Sequence, residues 1–404
     1  MISVEEAKEI VFNTPVNQDI EEVSLTESLG RVCAKDIEAK ITVPPWDNSA
    51  MDGFAVKISD IQSASESSGV KLKVIADIPA GTFFSGTIRN GECARIMTGA
   101  PIPAGAEAVV MREYADDKGD EVTIKKSAKK DENIRKKGED IKIGSIVVSK
   151  GKAITPADIG VLASVQVGKV SVYRKPTVAI LSTGDELVDI NEEITPGKIV
   201  TSNNYALEAQ VLESGAIPLQ MGIIKDDKEI LRKAIEKALC ADIILTTGGV
   251  SVGDYDFVKD VLGELGFEKK FWKVAQKPGK PLLFGTMGQS LVFGLPGNPT
   301  ATMLCFELYV RPMIKKILGY NRIERKCVRA QALEDIKKKP GRKHFIRAIT
   351  ENRNGNYYFR STGAQGSGIL TSMSKANSIA IIGNDVTLLK KGEETEVILL
   401  DESI

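Results

Sequence analysis

The sequence predicts a multidomain α/β plus β protein, with a doubly wound α/β domain, a mixed helical domain at the N-terminus, an inserted β-rich domain and a small β domain at the C-terminus. Three observations lead there. From Pro176 to Tyr320, short apolar β-branched runs alternate with stretches of helical periodicity, the rhythm of a parallel sheet covered on both faces. Between Pro44 and Lys136, and again beyond Arg325, short β-like runs are separated by turn residues. At 404 residues, the chain exceeds the size over which one hydrophobic core keeps growing.

Taken in order, Ser3-x-x-Glu6 is a capping box, and Val4, Ala7, Ile10 and Val11 follow at helical spacing, so the chain opens with a helix. Ser24 to Ile41 reads as a short helix broken at Gly30, then an extended passage into the Pro44-Pro45 loop. Strands are expected at 71–75, 92–97, 108–112 and 121–124. Ile146 to Val148 and a helix from Thr155-Pro156 to Val165 resume the opening theme, which makes 44–136 an insertion into a mixed domain of 1–43 and 137–174. The α/β domain, 175–322, alternates a strand at 178–181, a helix at 202–214, a strand at 218–223, a helix at 227–238, the apolar strand Ile243-Ile244-Leu245, a strand pair near 281–293 and a helix at 300–318. Residues 323–404, with turns at Gly341, Gly355, Gly363 and Gly383, form the last β domain.

Composition narrows the function. Lys+Arg and Asp+Glu both number 54, and no basic stretch is interleaved with aromatics, so nucleic acid is not an expected partner. The basic cluster from Lys125 to Lys137 reads as a solvated hairpin or linker. The five cysteines are scattered without a Cys-x-x-Cys pair, which points to a reducing cytoplasm and away from structural zinc. No apolar run approaches the ~20 residues that span a bilayer, so no membrane partner is expected. The single histidine, His344, is expected at the surface or between domains and cannot anchor a multi-histidine metal site.

The most informative segment is Ala241 to Asp256, where a buried strand runs through Thr246-Thr247 into Gly248 and Gly249 and on to Asp254 and Asp256. The glycines can aim successive N–H groups into one concavity, and a helix is expected to begin near Tyr255 or Asp256, so an oxyanion could settle there. Lys277 and Lys280 supply further positive charge, whereas the aspartates would repel an anion unless Mg²⁺ lay between. A strand followed by Thr-Thr-Gly-Gly also suits a plain tight turn. Asp185-Glu186, Asp226-Asp227 and Asp254/Asp256 all follow strand ends of the α/β sheet, where such folds bind ligands, although each set could merely cap the next helix.

Thr247-Gly-Gly-Val-Ser-Val-Gly253, Lys277-Pro-Gly-Lys-Pro281 and Leu295-Pro-Gly-Asn-Pro299 resemble the signature of the MoeA/gephyrin family, the molybdopterin molybdenumtransferases. So do Ser49-Ala-Met-Asp-Gly53, Arg95-Ile-Met-Thr-Gly-Ala-Pro101, Glu132 to Asp140, Phe345-Ile-Arg347 and Thr362 to Gly368, which extend the resemblance over nearly the whole chain. It implies an α/β domain of the molybdopterin-binding type, a C-terminal small β-barrel and an elongated, L-shaped homodimer of four-domain subunits.

The same resemblance implies transfer of molybdenum from molybdate to adenylylated molybdopterin, with pyrophosphate cleavage and AMP release. It implicates Asp52, Thr98, Arg135 and Asp140 in the loops outside the α/β domain. Glu186, Asp226 or Asp227, and Asp256 would handle metal and nucleotide, with Mg²⁺ on Glu186 and Asp256. Gly248, Gly249, Ser251, Lys277, Lys280, Pro281, Pro296, Pro299, Arg347 and Ser367 would hold the substrates, with Ser251, the lysines, Arg347 and Ser367 nearest molybdate. Gly368 stands where many relatives have His or Arg. The implied partners are the molybdopterin adenylyltransferase and acceptor molybdoenzymes. Two alternatives share the motifs: a molybdopterin adenylyltransferase, related through Gly-Gly-Val-Ser, and a gephyrin-like scaffold, although this chain lacks the fused domain and long linker of such scaffolds.

Overall fold

The computed structural model describes residues 1–248, 257–401 and 403. It divides into two compact units, one of residues 22–172 and one of residues 1–21 with 173–404. In the smaller unit, strands β1 (Gly53–Val56), β2 (Val70–Ile78), β3 (Glu92–Ile96), β4 (Ala108–Met111), β5 (Ala115–Asp117) and β6 (Glu121–Ile124) form a sheet in the order β4-β1-β3-β2-β6-β5. Strand β1 escaped the sequence reading because all four of its residues are buried, which erases the polar–apolar alternation that marks a strand. Residues flanking this sheet share a core of their own, in which Cys33 and Ala39 pack with Ile141, Val148, Ile154 and Leu162.

The expected helix after Ser24 is replaced by a strand at Ile20–Ser24 and one 3₁₀ turn at Thr26–Ser28. Tertiary pairing overrides local propensity here. The amides of Gly30, Cys33 and Ala34 donate to the carbonyls of Ile154, Lys152 and Ser171, so they are not available to a helix.

The larger unit is built on β7 (Thr177–Thr183), β8 (Ile217–Ile224), β9 (Ile243–Thr247), β10 (Glu268–Trp272), β11 (Leu283–Met287) and β12 (Ser290–Leu295), ordered β8-β7-β9-β12-β11-β10. Strands β7, β8, β9 and β12 run parallel, while β10 and β11 are antiparallel additions at one edge. Its helices are α1 (Val4–Asn13), α2 (Asn203–Ser214), α3 (Lys228–Ala238), α4 (Phe257–Glu264), α5 (Pro299–Cys305) and α6 (Arg311–Ile317), with a π-helical turn at Phe306–Val310 joining the last two. Alternate residues of the parallel strands enter opposite cores, as the two-residue strand period requires. Val178, Ile180, Ile243 and Leu245 pack with Leu207, Val211, Leu304 and Ile314 on one face. Ala179, Leu181 and Ile244 pack with Leu231, Ile235 and Val261 on the other.

Helix α1 carries the expected capping box, with the Glu6 amide donating to Ser3 Oγ at 3.1 Å. Its buried stripe of Val4, Ala7 and Val11 joins the first of those cores, so it departs from the expected grouping of 1–43 with the mixed domain. Beyond α6, strands β13 (Cys327–Ala332), β14 (Lys343–Arg353), β15 (Asn356–Ser361), β16 (Ser378–Ile382) and β17 (Glu394–Leu399) close a five-membered ring, β14-β15-β13-β17-β16 and back to β14. The half-buried pair Arg325–Glu307, at 2.7 Å, ties the segment leading into this barrel to the π-helical turn.

Candidate functional site

The parallel strands end on one edge, and there a cavity of about 390 Å³ is lined by Thr183, Glu186, Asn203, Thr247, Gly248, Pro281, Pro296 and Asn298 among others. Glu186, Gly248, Pro281 and Pro296 were expected at such a site. Gly248 has φ +83°, and a Cβ there would lie 2.5 Å from the Thr183 carbonyl oxygen, so the turn after β9 can pass this close to β7 only with glycine. Gly249, Ser251, Asp254 and Asp256 lie outside the described residues.

The lysine box separates this cavity from a second one of about 600 Å³, which Lys277, His344, Arg347 and Gln365 line. Its position follows from buried hydrogen bonds beneath it. The Tyr309 hydroxyl donates to Gln276 Oε1 at 2.6 Å, and Gln276 Nε2 donates to the Gly279 carbonyl at 3.2 Å. Gln276 and Lys277 then pair in parallel with Lys343 and His344 of β14, which carries Arg347 three residues further on. Pro281 therefore faces one cavity and Lys277 the other, while Lys280 is exposed and lines neither of them.

Arg347 is 1% exposed. Its Nε donates to Ser372 Oγ at 3.0 Å and its Nη2 to the Gly366 carbonyl at 2.9 Å, and no carboxylate pairs with it among the described residues. Burial pulls the guanidinium below its ordinary pKa, the direction expected of a cation without a counter-ion. The adjoining loop is fixed at both ends. Gln365 accepts from the Arg347 amide, and the Ser367 carbonyl accepts from the Thr300 hydroxyl at 2.7 Å, just after Pro299 begins α5. Ser367 thus comes to the Pro296–Pro299 motif through its backbone.

The acidic groups divide. Asp227 accepts from the amides of Glu229 and Ile230, both at 2.9 Å, and is the N-cap of α3. Of the Asp226-Asp227 pair, only Asp226 belongs to the acidic edge, where the Asp185 carboxylate accepts its amide at 3.3 Å. Desolvation, and then the charges of Asp185 and Glu186, push the Asp226 carboxyl above its usual range. Among the described residues, no three side chains converge as a complete metal cage. Replacing Asp227 with Ala should cost about 1 kcal/mol in urea unfolding, while Asp227→Asn should cost little, because both caps offer the same acceptor oxygen.

In the smaller unit, tertiary pairing gathers the three remaining segments. Asp52 Oδ1 accepts from the Thr98 amide and hydroxyl, each at 2.7 Å, and the amide bond holds its carboxyl below the usual carboxylate range. Arg135 pairs with Asn48 and Ile134 with Ser49, while the Asp140 amide donates to the Val43 carbonyl. Asp140 and Arg135 are exposed.

Of the two places expected for it, His344 takes the one between domains: it is buried where Lys277 of the α/β domain pairs with β14, and it lines the larger cavity. Burial, reinforced by Lys277, Lys338 and Arg342, pushes its pKa down from 6.5 to about 4. Between those values an unfolded chain takes up a proton that the folded chain refuses, so stability is complete above pH 6.5 and falls as pH drops towards 4. The loss should reach at most about 3 kcal/mol, and His344→Gln should flatten this part of a urea-midpoint profile.

Comparison with known proteins agrees with the geometry. Residues 2–166 match the MoeA N-terminal region (domain I and II), 179–316 a probable molybdopterin binding domain and 329–400 the MoeA C-terminal region (domain IV). The chain is 37% identical to a molybdopterin molybdenumtransferase of a Nostoc species, over 99% of this chain and 94% of that one. The chain belongs to the MoeA family. A Bacillus subtilis molybdopterin molybdenumtransferase is 36% identical over 99% of this chain and 94% of its own length. The crystal structure of the MoeA protein of Pyrococcus horikosii, 36% identical, covers 99% of both chains with a TM-score of 0.87.

One residue of this MoeA-family site was missed in the sequence. Asn203 lines the smaller cavity and donates to the Gly297 carbonyl at 2.9 Å. Its Oδ1 is buried without a partner among the described residues, an unsatisfied acceptor beside the cavity. Its only sequence signal was the polar run Ser202-Asn203-Asn204, which reads as an ordinary helix start.

Proposed function

We propose that this chain is a molybdopterin molybdenumtransferase that inserts molybdenum from molybdate into adenylylated molybdopterin, cleaving the pyrophosphate and releasing AMP. The observation that carries this reading is the buried, uncompensated Arg347 guanidinium in a cavity shared with Lys277. A tetrahedral dianion suits that pair, since charge-assisted hydrogen bonds would compensate the buried charge. The pterin brings its own sulfurs, so no cysteine ligand is needed. In the smaller cavity, Glu186 and Asn203 would bind and orient the substrate, and the Gly248 turn would offer a backbone amide to a phosphate oxygen.

Desolvation and the charges of Asp185 and Glu186 raise the Asp226 carboxyl, which a cation would relieve, and carboxylate oxygens are the hard donors that Mg²⁺ takes. Glu186 would hold it together with Asp256, and the ion would neutralise charge developing on the pyrophosphate. Ser251 completes the proposed molybdate grip, while Lys280, which lines neither cavity, is assigned attraction at longer range, with Asp52, Thr98 and Asp140 as catalytic residues. The reaction is assigned to the cytoplasm, which the five free cysteines support. Among the described residues, no helix is long and apolar enough to cross a membrane. A homodimer is proposed as the working form, which sizing should report as twice 43.7 kDa. The adenylyltransferase and acceptor molybdoenzymes are its proposed partners.

Purified protein given adenylylated molybdopterin, Mg²⁺ and molybdate should release AMP, and removal of Mg²⁺ with EDTA should stop it. Absence of AMP under these conditions refutes the reading. Formation of the adenylylated pterin from ATP by this chain alone would favour the adenylyltransferase instead.

A further inference from the structure

The cavity of about 600 Å³ does not end at Arg347 and Lys277. From them it runs along the loop before β14, where Lys337, Lys338, Lys339 and Arg342 line it. These six cations face two carboxylates, Glu334 and Asp335, and both are engaged by backbone amides. Glu334 accepts from Ser361 N–H and Asp335 from Lys391 N–H, each at 2.8 Å. Lys338 is structural, since its ammonium donates to the carbonyls of Lys339, Arg342 and Asn384. Lys337, Lys339 and Arg342 form no ion pair among the described residues, and Lys337 and Lys339 are exposed at the outer end, whereas Arg347 is buried at the inner one. The depressed pKa of His344, caused in part by Lys277, Lys338 and Arg342, reports the positive field within the same cavity.

We propose that this loop is an electrostatic entry path, in which Lys337, Lys339 and Arg342 draw a compact divalent oxyanion from solvent towards Arg347 and Lys277. The physical basis is focusing. A cleft lined by one sign of charge, with low-dielectric walls, raises the local concentration of the opposite ion and its rate of capture. Direct bonding is assigned to the inner residues, and the loop cations act at longer range. The assignment of molybdate as the oxyanion rests on the function proposed above.

The test is stopped-flow binding of molybdate alone to the full chain, with phosphate as a second probe, in wild type and in a Lys337→Gln/Lys339→Gln/Arg342→Gln variant. Association in the variant should be about tenfold slower at ~20 mM salt and should approach the wild-type rate at ~0.5 M, where screening removes the field. A Lys233→Gln/Lys237→Gln variant, with the same kind of charge removed on the exposed face of α3, which lines neither cavity, should match wild type. Equal rates at low salt, or a deficit that persists unchanged at high salt, would overturn the path. Phosphate captured as fast as molybdate would show that the path selects charge and shape, leaving metal choice to the inner residues. Because capture is read without turnover, salt-dependent molybdate binding without AMP release would sink the proposed reaction and leave the entry path standing.

Discussion

Arg347→Met is expected to weaken molybdate binding by about a hundredfold or more while leaving the fold intact, and to hold or raise the stability of the ligand-free chain. The guanidinium has five N–H donors, of which two are engaged by neutral acceptors, Ser372 Oγ and the Gly366 carbonyl. The rest are available to an anion in the cavity that Arg347 lines. Loss of one or two charge-assisted hydrogen bonds, at roughly 1.5–3 kcal/mol each, gives a loss of that size. The stability effect has the opposite sign because an unpaired buried cation is costly and a methionine of similar volume is not, which favours the variant by about 0–2 kcal/mol. Arg347→Lys should fall between, since it keeps the charge and loses the planar fork. Molybdate dependence of AMP release and urea unfolding read the two effects separately. Unchanged molybdate affinity would remove Arg347 from the site, and a collapsed fold would make it a structural residue.

Gly279→Ala should be the most damaging single methyl addition in the lysine box. Gly279 has φ +92°, and its Cβ would lie 2.6 Å from both Cys305 Sγ and Gln276 Nε2. Those neighbours are fully buried, so neither can swing out of the way. Backbone strain and overpacking together should cost about 2–4 kcal/mol. The function should suffer more than the stability does. Displacing Gly279 breaks its bond from Gln276, and with it the registry that sets Lys277 beside His344, so AMP release should drop by at least ~100-fold, the penalty of a small misplacement at a reacting centre. Adding Cys305→Ala removes the sulfur clash and should recover part of the stability, while the positive φ keeps the variant below wild type. An unperturbed Gly279→Ala enzyme would mean that the box is not held as described.

Legibility varied with the range of the interaction. The helices of the α/β unit were readable to within a residue or two at 203–214 and 228–238, because their periodicity and caps are local. The strand Glu268–Trp272, at the edge of the sheet, was not read, and the 300–318 helix concealed a π-helical turn at Phe306–Val310. That turn includes Tyr309, whose hydroxyl meets Gln276, and no local pattern announces a partner thirty-three positions away. The two aspartates at 226 and 227 were equivalent in sequence and separated only when one backbone turned to cap α3. Which of the two places expected for His344, the surface or a domain boundary, would hold was unreadable for the same reason, since nothing nearby in the chain shows that Gln276–Lys277 will pair beside it.

By itself, the sequence determined the alternation of the parallel strands and helices in the α/β unit, the β character of the regions around it, the glycine turn after β9 and the chemical types gathered in its motifs. These depend on backbone preference and on side-chain periods of two or 3.6 residues, both of which are local. Only the tertiary structure decided that the opening helix packs with the α/β core, that Pro281 and Lys277 face different cavities, and that Arg347 is buried without a carboxylate among the described residues. Those outcomes depend on which surfaces meet after long loops close, and that is set by the shape of the packed core and the pairing of distant strands.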